Sequence, residues 1–430
     1  MDATTYQDYV NILHEELVPA MGCTEPIAIA YAAAVARQTL GRPAQRMEVE
    51  ASGNIIKNVK SVFVPNTGGL RGIPAAAAAG MAAGDPALEL EVLSSIGEGE
   101  QAAIRQYLAD TPIAVKLADS PFIFDIAIRA WAGEDSALVR IVNYHTNIVR
   151  VERNGQVLKE VEAQAAAEEG LTDKSVLTVE GILEFAREAA LADVEEAVGR
   201  QVRYNTAIAQ EGLRGDYGAN IGKVLLATYG EDVKIRAKAM AAAGSDARMN
   251  GCGLPVVIVS GSGNQGLTAS LPVVEYAKEL GADWETTLRA VLVSDLITIH
   301  LKAEIGRLSA YCGAVSAGCG SGAGIAWLYG REKEPQALLK DVSHTIVNAL
   351  AVDSGIVCDG AKASCAAKIA SAVDAGLLGF YMYQNGQQFR GGDGIISKGV
   401  EETIRNIGLL ATQGMRETDR EILDIMTTRC

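Results

Sequence analysis

Positive charge, histidine and closely spaced cysteine pairs are scarce or missing in this 430-residue chain. Its 53 acidic side chains outnumber 38 basic ones, leaving a formal net charge of −15. That balance argues against nucleic acid or an anionic membrane as the main partner. A small anionic ligand would then need local positive potential, from backbone amides or a metal centre. No Cys-x-x-Cys pair of the structural-zinc kind occurs. The seven cysteines are odd in number and are not spread as a disulfide framework. Residues 1–6 lack the basic and then apolar blocks of a secretory leader, so a reducing, cytoplasmic setting is expected. No repeat at solenoid spacing is visible. Residues 308–330 carry no charge and are long enough to cross a bilayer, but five glycines, Gly313 to Gly324, suit a helix buried in a soluble protein. With no second such span, no membrane partner is expected.

Length allows two or three domains with substantial cores. Tyr9, Val10, Leu13 and Leu17 share one helical face. Thr24 is placed to cap a second helix running to about Leu40, with Glu25 and Pro26 in its first turn. Strand-like runs follow at 47–50, 61–64 and 88–93, with an alanine-rich helix over 75–83. Residues 122–128, 137–142, 149–153 and 156–158 read as strands, the last two flanking the hairpin signature Asn154-Gly155. From Val179 helical periodicity dominates, interrupted by one apolar run at 256–259. The expected fold class is α+β. A mixed α/β substrate domain spans 1–170, and a larger, mainly α-helical domain carrying the cofactor spans 171–430, with a polar boundary at 164–173.

Cys312 and Cys319, and again Cys358 and Cys365, stand seven residues apart among glycines and alanines. Seven residues are close to two helical turns, so each pair can share a helix face. Clustered thiols beside glycine suit a soft-metal or iron–sulfur site. They equally suit an alanine-rich core that absorbs small apolar cysteines. Cys23, in Gly22-Cys23-Thr24-Glu25-Pro26, is either a core thiol or one whose ionised form a helix start favours. Glu25 reads as a dipole partner in the first turn. Gly261, Gly263 and Gly266 spell Gly-x-Gly-x-x-Gly between an apolar run and a helix over 267–280, with Glu279 and Asp283 near the acidic distance of a dinucleotide site. Strand–helix alternation does not continue beyond it. The same amides, with Ser262 and Asn264, could cradle a carboxylate, or form a plain turn. Asn54, Asn58, Asn66 and Thr67 lie at strand ends, where amides hold a carboxylate or amino group and also make ordinary turns. His145 could assist proton transfer, though a structural role is favoured. Lys362, between two cysteines, could neutralise cluster charge or meet a carboxylate. His14, His300 and His344 lack a partner pattern and read as structural.

The stretches Gly22-Cys23-Thr24-Glu25-Pro26, Ser52-Gly53-Asn54-Ile55-Ile56-Lys57-Asn58, Ser260-Gly261-Ser262-Gly263-Asn264-Gln265-Gly266, Leu308-Ser309-Ala310-Tyr311-Cys312-Gly313 and Cys358-Asp359-Gly360-Ala361-Lys362-Ala363-Ser364-Cys365 resemble, in this order, the L-cysteine desulfidase family. That family is related to the iron–sulfur L-serine dehydratases, and the resemblance covers nearly the whole chain. It implies an oxygen-sensitive [4Fe–4S] cluster held by Cys312, Cys358 and Cys365, with one iron open to substrate and Cys319 competing for the first position. It places Cys23 on the family's proton-abstracting cysteine. Thr24, Asn54, Asn58, Asn66, Thr67, His145, Ser262, Asn264 and Lys362 are the candidate substrate contacts. The implied reaction is β-elimination of L-cysteine to pyruvate, hydrogen sulfide and ammonia by a carbon–sulfur lyase. L-serine dehydration is the alternative; Cys23 favours the former, because the dehydratases carry a serine- and histidine-rich motif there. A non-catalytic cofactor- or metabolite-binding protein is the alternative of another class. Related dehydratases place a terminal cysteine on the open iron, so Cys430 is expected to do the same. A free amino acid is the expected partner and a homodimer is possible, with the site between the two domains.

Overall fold

The computed structural model describes residues 1–164 and 170–428. Helix α1 (Ala3–Glu16) is capped by Asp2, whose carboxylate accepts the Thr4 and Thr5 amides. After the short strand β1 (Pro19–Met21) comes α2 (Thr24–Leu40), alanine-rich and buried on nearly every face. Strand β2 (Arg46–Ala51), helices α3 (Gly53–Val59), α4 (Gly72–Ala83) and α5 (Glu98–Asp110), and strands β3 (Ile113–Leu117), β4 (Asp125–Ala132), β5 (Asp135–Val142), β6 (Ile148–Arg153) and β7 (Gln156–Glu160) complete the N-terminal region. The strands form one sheet in the order β3-β2-β4-β5-β6-β7, with β2 and β3 parallel and all other pairs antiparallel. Period-two burial of Ile126, Ile128 and Ala130, and of Val139 and Ile141, gives the sheet an apolar face. Helix α2 packs on β4 and β5. Asn154 and Gly155 both have positive φ, 52° and 79°, as a two-residue hairpin turn requires.

Three expected strands differ. Residues 61–64 contribute only an isolated bridge between Phe63 and Arg71. Residues 88–93 are instead a 3-10 turn and its exit, because the Asp85 side chain accepts the Ala87 amide and Pro86 starts the turn. The strand expected from 122 begins at Asp125, since Ser120 Oγ takes the Phe122 amide at 3.2 Å and holds a turn there.

The rest of the chain is helical: α6 (Val179–Glu188), α7 (Leu191–Arg214), α8 (Ile221–Tyr229), α9 (Val233–Met249), α10 (Gly263–Glu279), α11 (Trp284–Ile305), α12 (Gly313–Gly330), α13 (Pro335–Val352), α14 (Cys365–Gln384), α15 (Val400–Leu409) and α16 (Arg416–Thr428), with the short strand β8 (Pro255–Val257) before α10. The layout is α+β. The polar stretch expected to mark a boundary falls partly on residues 165–169, outside the described residues. The uncharged span 308–330 supplies α12, which packs against α10, α11, α13 and α14. An all-round apolar helix belongs in a core, and here glycine makes the close packing possible. A Cβ on Gly322 would lie 2.7 Å from Gly376 O of α14, and one on Gly324 2.7 Å from Ala290 O of α11. By length and composition α14 could cross a membrane; in the fold it packs on α9, α12 and α13.

Strands β1 and β8 pair antiparallel, Pro19 with Val257 and Met21 with Pro255, and the Ile258 amide donates to Val18 O at 3.0 Å. This clasp delivers Cys23 and the loop 260–266 to the same place.

Gly322→Val forces a side chain into backbone at the α12–α14 contact and should cost about 1–3 kcal/mol, read as a lower urea midpoint. Gly99→Ala, on α5 where a Cβ meets nothing within 4 Å, should leave the midpoint unchanged or raise it.

Candidate active site

Tyr311 and Val357 form an isolated antiparallel bridge. The Cys312 amide donates to Ile356 O at 2.9 Å, and the Cys358 amide to Ala310 O at 2.7 Å. That pairing brings the thiols of Cys312 and Cys358 into hydrogen-bonding reach. Cys365 opens α14, with its amide on Lys362 O at 3.0 Å, close enough for its charge to couple to Cys358. The bond from Cys312 outweighs burial and, with Lys57, the Gly360 amide and Lys362, draws Cys358 down to about 6. The same bond and burial push Cys312 up, and burial pushes Cys365 up. Cys319 is a core residue of α12, 1% exposed, and does not line the cavity that the other three share.

That cavity, of about 100 Å³, is also lined by Cys23, Glu25, Asn58, Arg248, Ser262 and Asn264. Cys23, not Thr24, occupies the N-cap of α2, and its side chain makes no capping bond. Its thiol donates instead to Glu25 Oε2 at 3.0 Å, and Glu25 Oε1 accepts Asn58 Nδ2 at 2.9 Å. The Thr24 hydroxyl donates to Gly261 O at 2.9 Å, joining α2 to the loop after β8. Burial, and then the Glu25 charge, push the Cys23 thiol well above its ordinary value, so the helix start does not ionise it as expected. Burial opposes charge on Glu25 too, yet His145, the Cys23 thiol, its own amide and Arg248 together hold it below the usual range. Burial, with Arg307 and Arg248, lowers His145 to about 4 against the pull of Glu25. The imidazole is therefore neutral near pH 7, packed edge-on to Phe124 at 4.8 Å, outside the cavity lining. At neutral pH the Glu25 carboxylate is therefore ionised.

Four helices begin at this cavity, at Cys23 (α2), Ser262 (α10), Cys312 (α12) and Ser364 (α14), and none has a side-chain cap. The helix starts add positive potential, joined by Arg248, Lys302, Arg307 and Lys368 in the lining. The glycine motif serves this packing and not a dinucleotide: a Cβ on Gly263 would overlap the Arg248 guanidinium, and one on Gly266 would overlap Val257 O of β8. Five lining atoms are buried without a hydrogen-bond partner: Asn58 Oδ1, Arg248 Nε, Asn264 Oδ1, Gln265 Oε1 and Tyr311 OH. Such atoms are costly in a native interior and point to a polar occupant.

Other candidate contacts lie elsewhere. Asn54 lines a separate cavity with Ser52, Lys57 and Asp419 of α16. Asn66, at φ 57°, donates to Leu93 O at 3.0 Å. The Thr67 hydroxyl donates to Val64 O at 2.7 Å and accepts the Leu70 amide at 3.2 Å. Neither lines the cavity of the cysteines. Lys362 is held by Asp359 at 2.5 Å and by Gly360 O at 3.0 Å, and Lys368 takes its expected place on the cavity. Cys430 lies outside the described residues. Glu25 as a base, and Arg248, Gln265, Lys302, Arg307, Tyr311 and Lys368, were not foreseen as site residues. Gln265 lies inside the glycine motif 260–266. The one hint of Arg248 was a charge in the alanine-rich run 239–249.

Among the described residues, no three His, Cys, Asp or Glu side chains converge to hold a single metal ion. A cluster takes one thiolate per iron and needs no such convergence, so three cavity-facing thiols, one already acidic, fit an iron–sulfur ligand set one short of four.

Residues 87–424 match the family described as serine dehydratase alpha chain. A UPF0597 protein of Desulfitobacterium hafniense is 59% identical over 425 residues, spanning 99% of this chain and 97% of that protein. UPF0597 proteins of Lachnoclostridium phytofermentans and Treponema denticola are 51% and 45% identical, each over at least 98% of both chains.

In cluster-free protein, iodoacetamide should label Cys358 ahead of Cys23 and Cys319, with reactivity rising as pH passes about 6. The thiolate is the nucleophile, so a lowered value means reaction at lower pH. Peptide mass mapping against pH checks the order.

Proposed function

We propose that this chain, which belongs to the serine dehydratase alpha-chain family, is an iron–sulfur lyase that eliminates the β-substituent of a free amino acid. Its substrate is L-cysteine, and its products are pyruvate, hydrogen sulfide and ammonia. The observation that carries this reading is a thiol–carboxylate pair, Cys23 and Glu25, sharing one small cavity with three further thiols.

Cys312, Cys358 and Cys365 would hold a [4Fe–4S] cluster, which when bound supplies a Lewis-acidic iron to a departing sulfide or hydroxide. The chain's own residues supply the proton chemistry. Glu25, ionised and fixed by Asn58, takes the proton of Cys23, and the thiolate so formed takes the α-proton of the substrate. Burial keeps that thiolate from standing free in the resting protein, so it forms only as the proton moves. Elimination yields aminoacrylate, which tautomerises and is hydrolysed to pyruvate and ammonia. Residues 1–170 would contribute Cys23, Glu25 and Asn58, and residues 171–430 the cluster ligands, Arg248 and Asn264. A reducing cytoplasm suits the six described cysteines, all of them free.

L-serine dehydration is the second reading, favoured by the description of the matching family. Anaerobically reconstituted protein should release sulfide and pyruvate from L-cysteine faster than pyruvate from L-serine; the reverse order would make it the dehydratase. Release of pyruvate from neither would sink the lyase. Glu25→Gln should lower turnover by about 10²–10⁴-fold, the usual weight of a general base, while iron content stays unchanged.

A further inference from the structure

We propose that the cavity holds a zwitterion receptor, in which Arg248 binds the α-carboxylate of the substrate and the amide oxygens of Asn58, Asn264 and Gln265 bind its α-ammonium. This rests on the amino-acid lyase reading and assigns the groups that recognise the part of the substrate that does not react.

Arg248 stands in the last turn of α9, 2% exposed. A buried guanidinium ordinarily has a carboxylate within bonding distance, because an unpaired buried charge is strongly unfavourable. Among the described residues Arg248 has no such partner. Its Nη1 reaches only the Met249 thioether, at 3.4 Å, and its Nε is left bare. Arg248 acts on Glu25 only through space, and Glu25 is already engaged by Cys23 and Asn58. The absence of a side chain at Gly263 leaves room for the guanidinium beside the start of α10. A planar fork with unused donors on a cavity wall matches a carboxylate, which accepts two parallel bonds.

The amide oxygens complete the pattern. The Asn58 NH₂ is committed to Glu25 at 2.9 Å and the Asn264 NH₂ to the Met249 thioether at 3.5 Å, so each presents its oxygen unpaired. Gln265 Oε1, packed against Gly313 beside Cys312, is the third. An ammonium has three donors and no acceptor, so three bare carbonyl-type oxygens match it in number and polarity. Cys23 lines the same small cavity, which brings the α-proton of a ligand held at both ends near the base.

The test is calorimetric titration of the full-length protein, handled anaerobically, with L-alanine, which has no β-leaving group, and with L-alanine methyl ester and N-acetyl-L-alanine. Wild-type protein should bind L-alanine at least tenfold more tightly than either derivative. In Arg248→Gln the L-alanine affinity should fall at least tenfold and the gap to the methyl ester should close, while Arg248→Lys keeps part of it. Gln265→Ala should narrow the gap to the N-acetyl compound. Equal binding of acid and ester by wild-type protein, or undiminished L-alanine binding by Arg248→Gln, overturns the receptor. Discrimination without any pyruvate release would leave the receptor standing and remove the lyase; turnover with an indifferent Arg248→Gln would do the reverse.

Discussion

Four helices start at one point, none of them with a side-chain cap. In a chain of net charge −15, that convergence is the constraint around which the site is arranged. Free N-terminal amides are stable only beside water, an anion or a polar ligand. Bringing four helix starts to a cavity of about 100 Å³ means drawing helix backbones together more closely than ordinary side chains allow. The glycines of α12 make that approach possible along α11 and α14, and Gly263 and Gly266 do so where α10 leaves β8. The small-residue composition of the helical region and the electropositive site are thus two aspects of one arrangement.

Burial and the bonded neighbour, more than helix position, set the protonation of the thiols. Cys23 sits at a helix start, yet burial and the adjacent Glu25 keep it protonated. Cys358 lies in a loop, and the thiol of Cys312 with Lys57 and Lys362 draws it towards the thiolate. The site therefore has two unlike ends: one where a proton waits on sulfur beside a carboxylate, and one where sulfur loses its proton readily, as a metal ligand must. An elimination needs both, a proton acceptor for the α-carbon and an electrophile for the leaving group.

Much of this was legible in the sequence. Period-two runs at 122–142 and the Asn154-Gly155 turn carried the sheet, and the uncharged span 308–330 carried the central helix, because these elements have strong local patterns. Edge strand β3 did not show: four of its five residues are exposed, so no alternation marks it. Cys23, Asn58, Ser262, Asn264 and three of the late cysteines share the cavity because they lay in compact motifs. Arg248 was hidden because one more arginine on a helix that already carries Lys234, Arg236 and Lys238 looks like a surface charge until its burial is known. Glu25 was visible only as a dipole partner, since the first turn of a helix is where a glutamate is expected for dipole reasons alone. Only the tertiary clasp of β1 with β8 reveals that it faces the cavity of the late cysteines.

Cavity size bears on what is recognised. Pockets for drug-sized ligands span roughly 300–1,000 Å³, and a space of about 100 Å³ with three wall thiols to serve has no room for a dinucleotide, which removes the reading that the glycine motif invited. It accepts a compact molecule, and cysteine and serine both qualify, differing only in sulfur or oxygen at one position. Volume therefore does not choose between them. The wall groups that would grip carboxylate and ammonium treat the two alike, since those groups are common to both. Discrimination falls to the reacting end: how readily the leaving atom departs, and how much basicity the Cys23–Glu25 pair must supply to match. Thiolate is the better leaving group of the two, so a base held back by burial until its proton moves suffices for cysteine sooner than for serine.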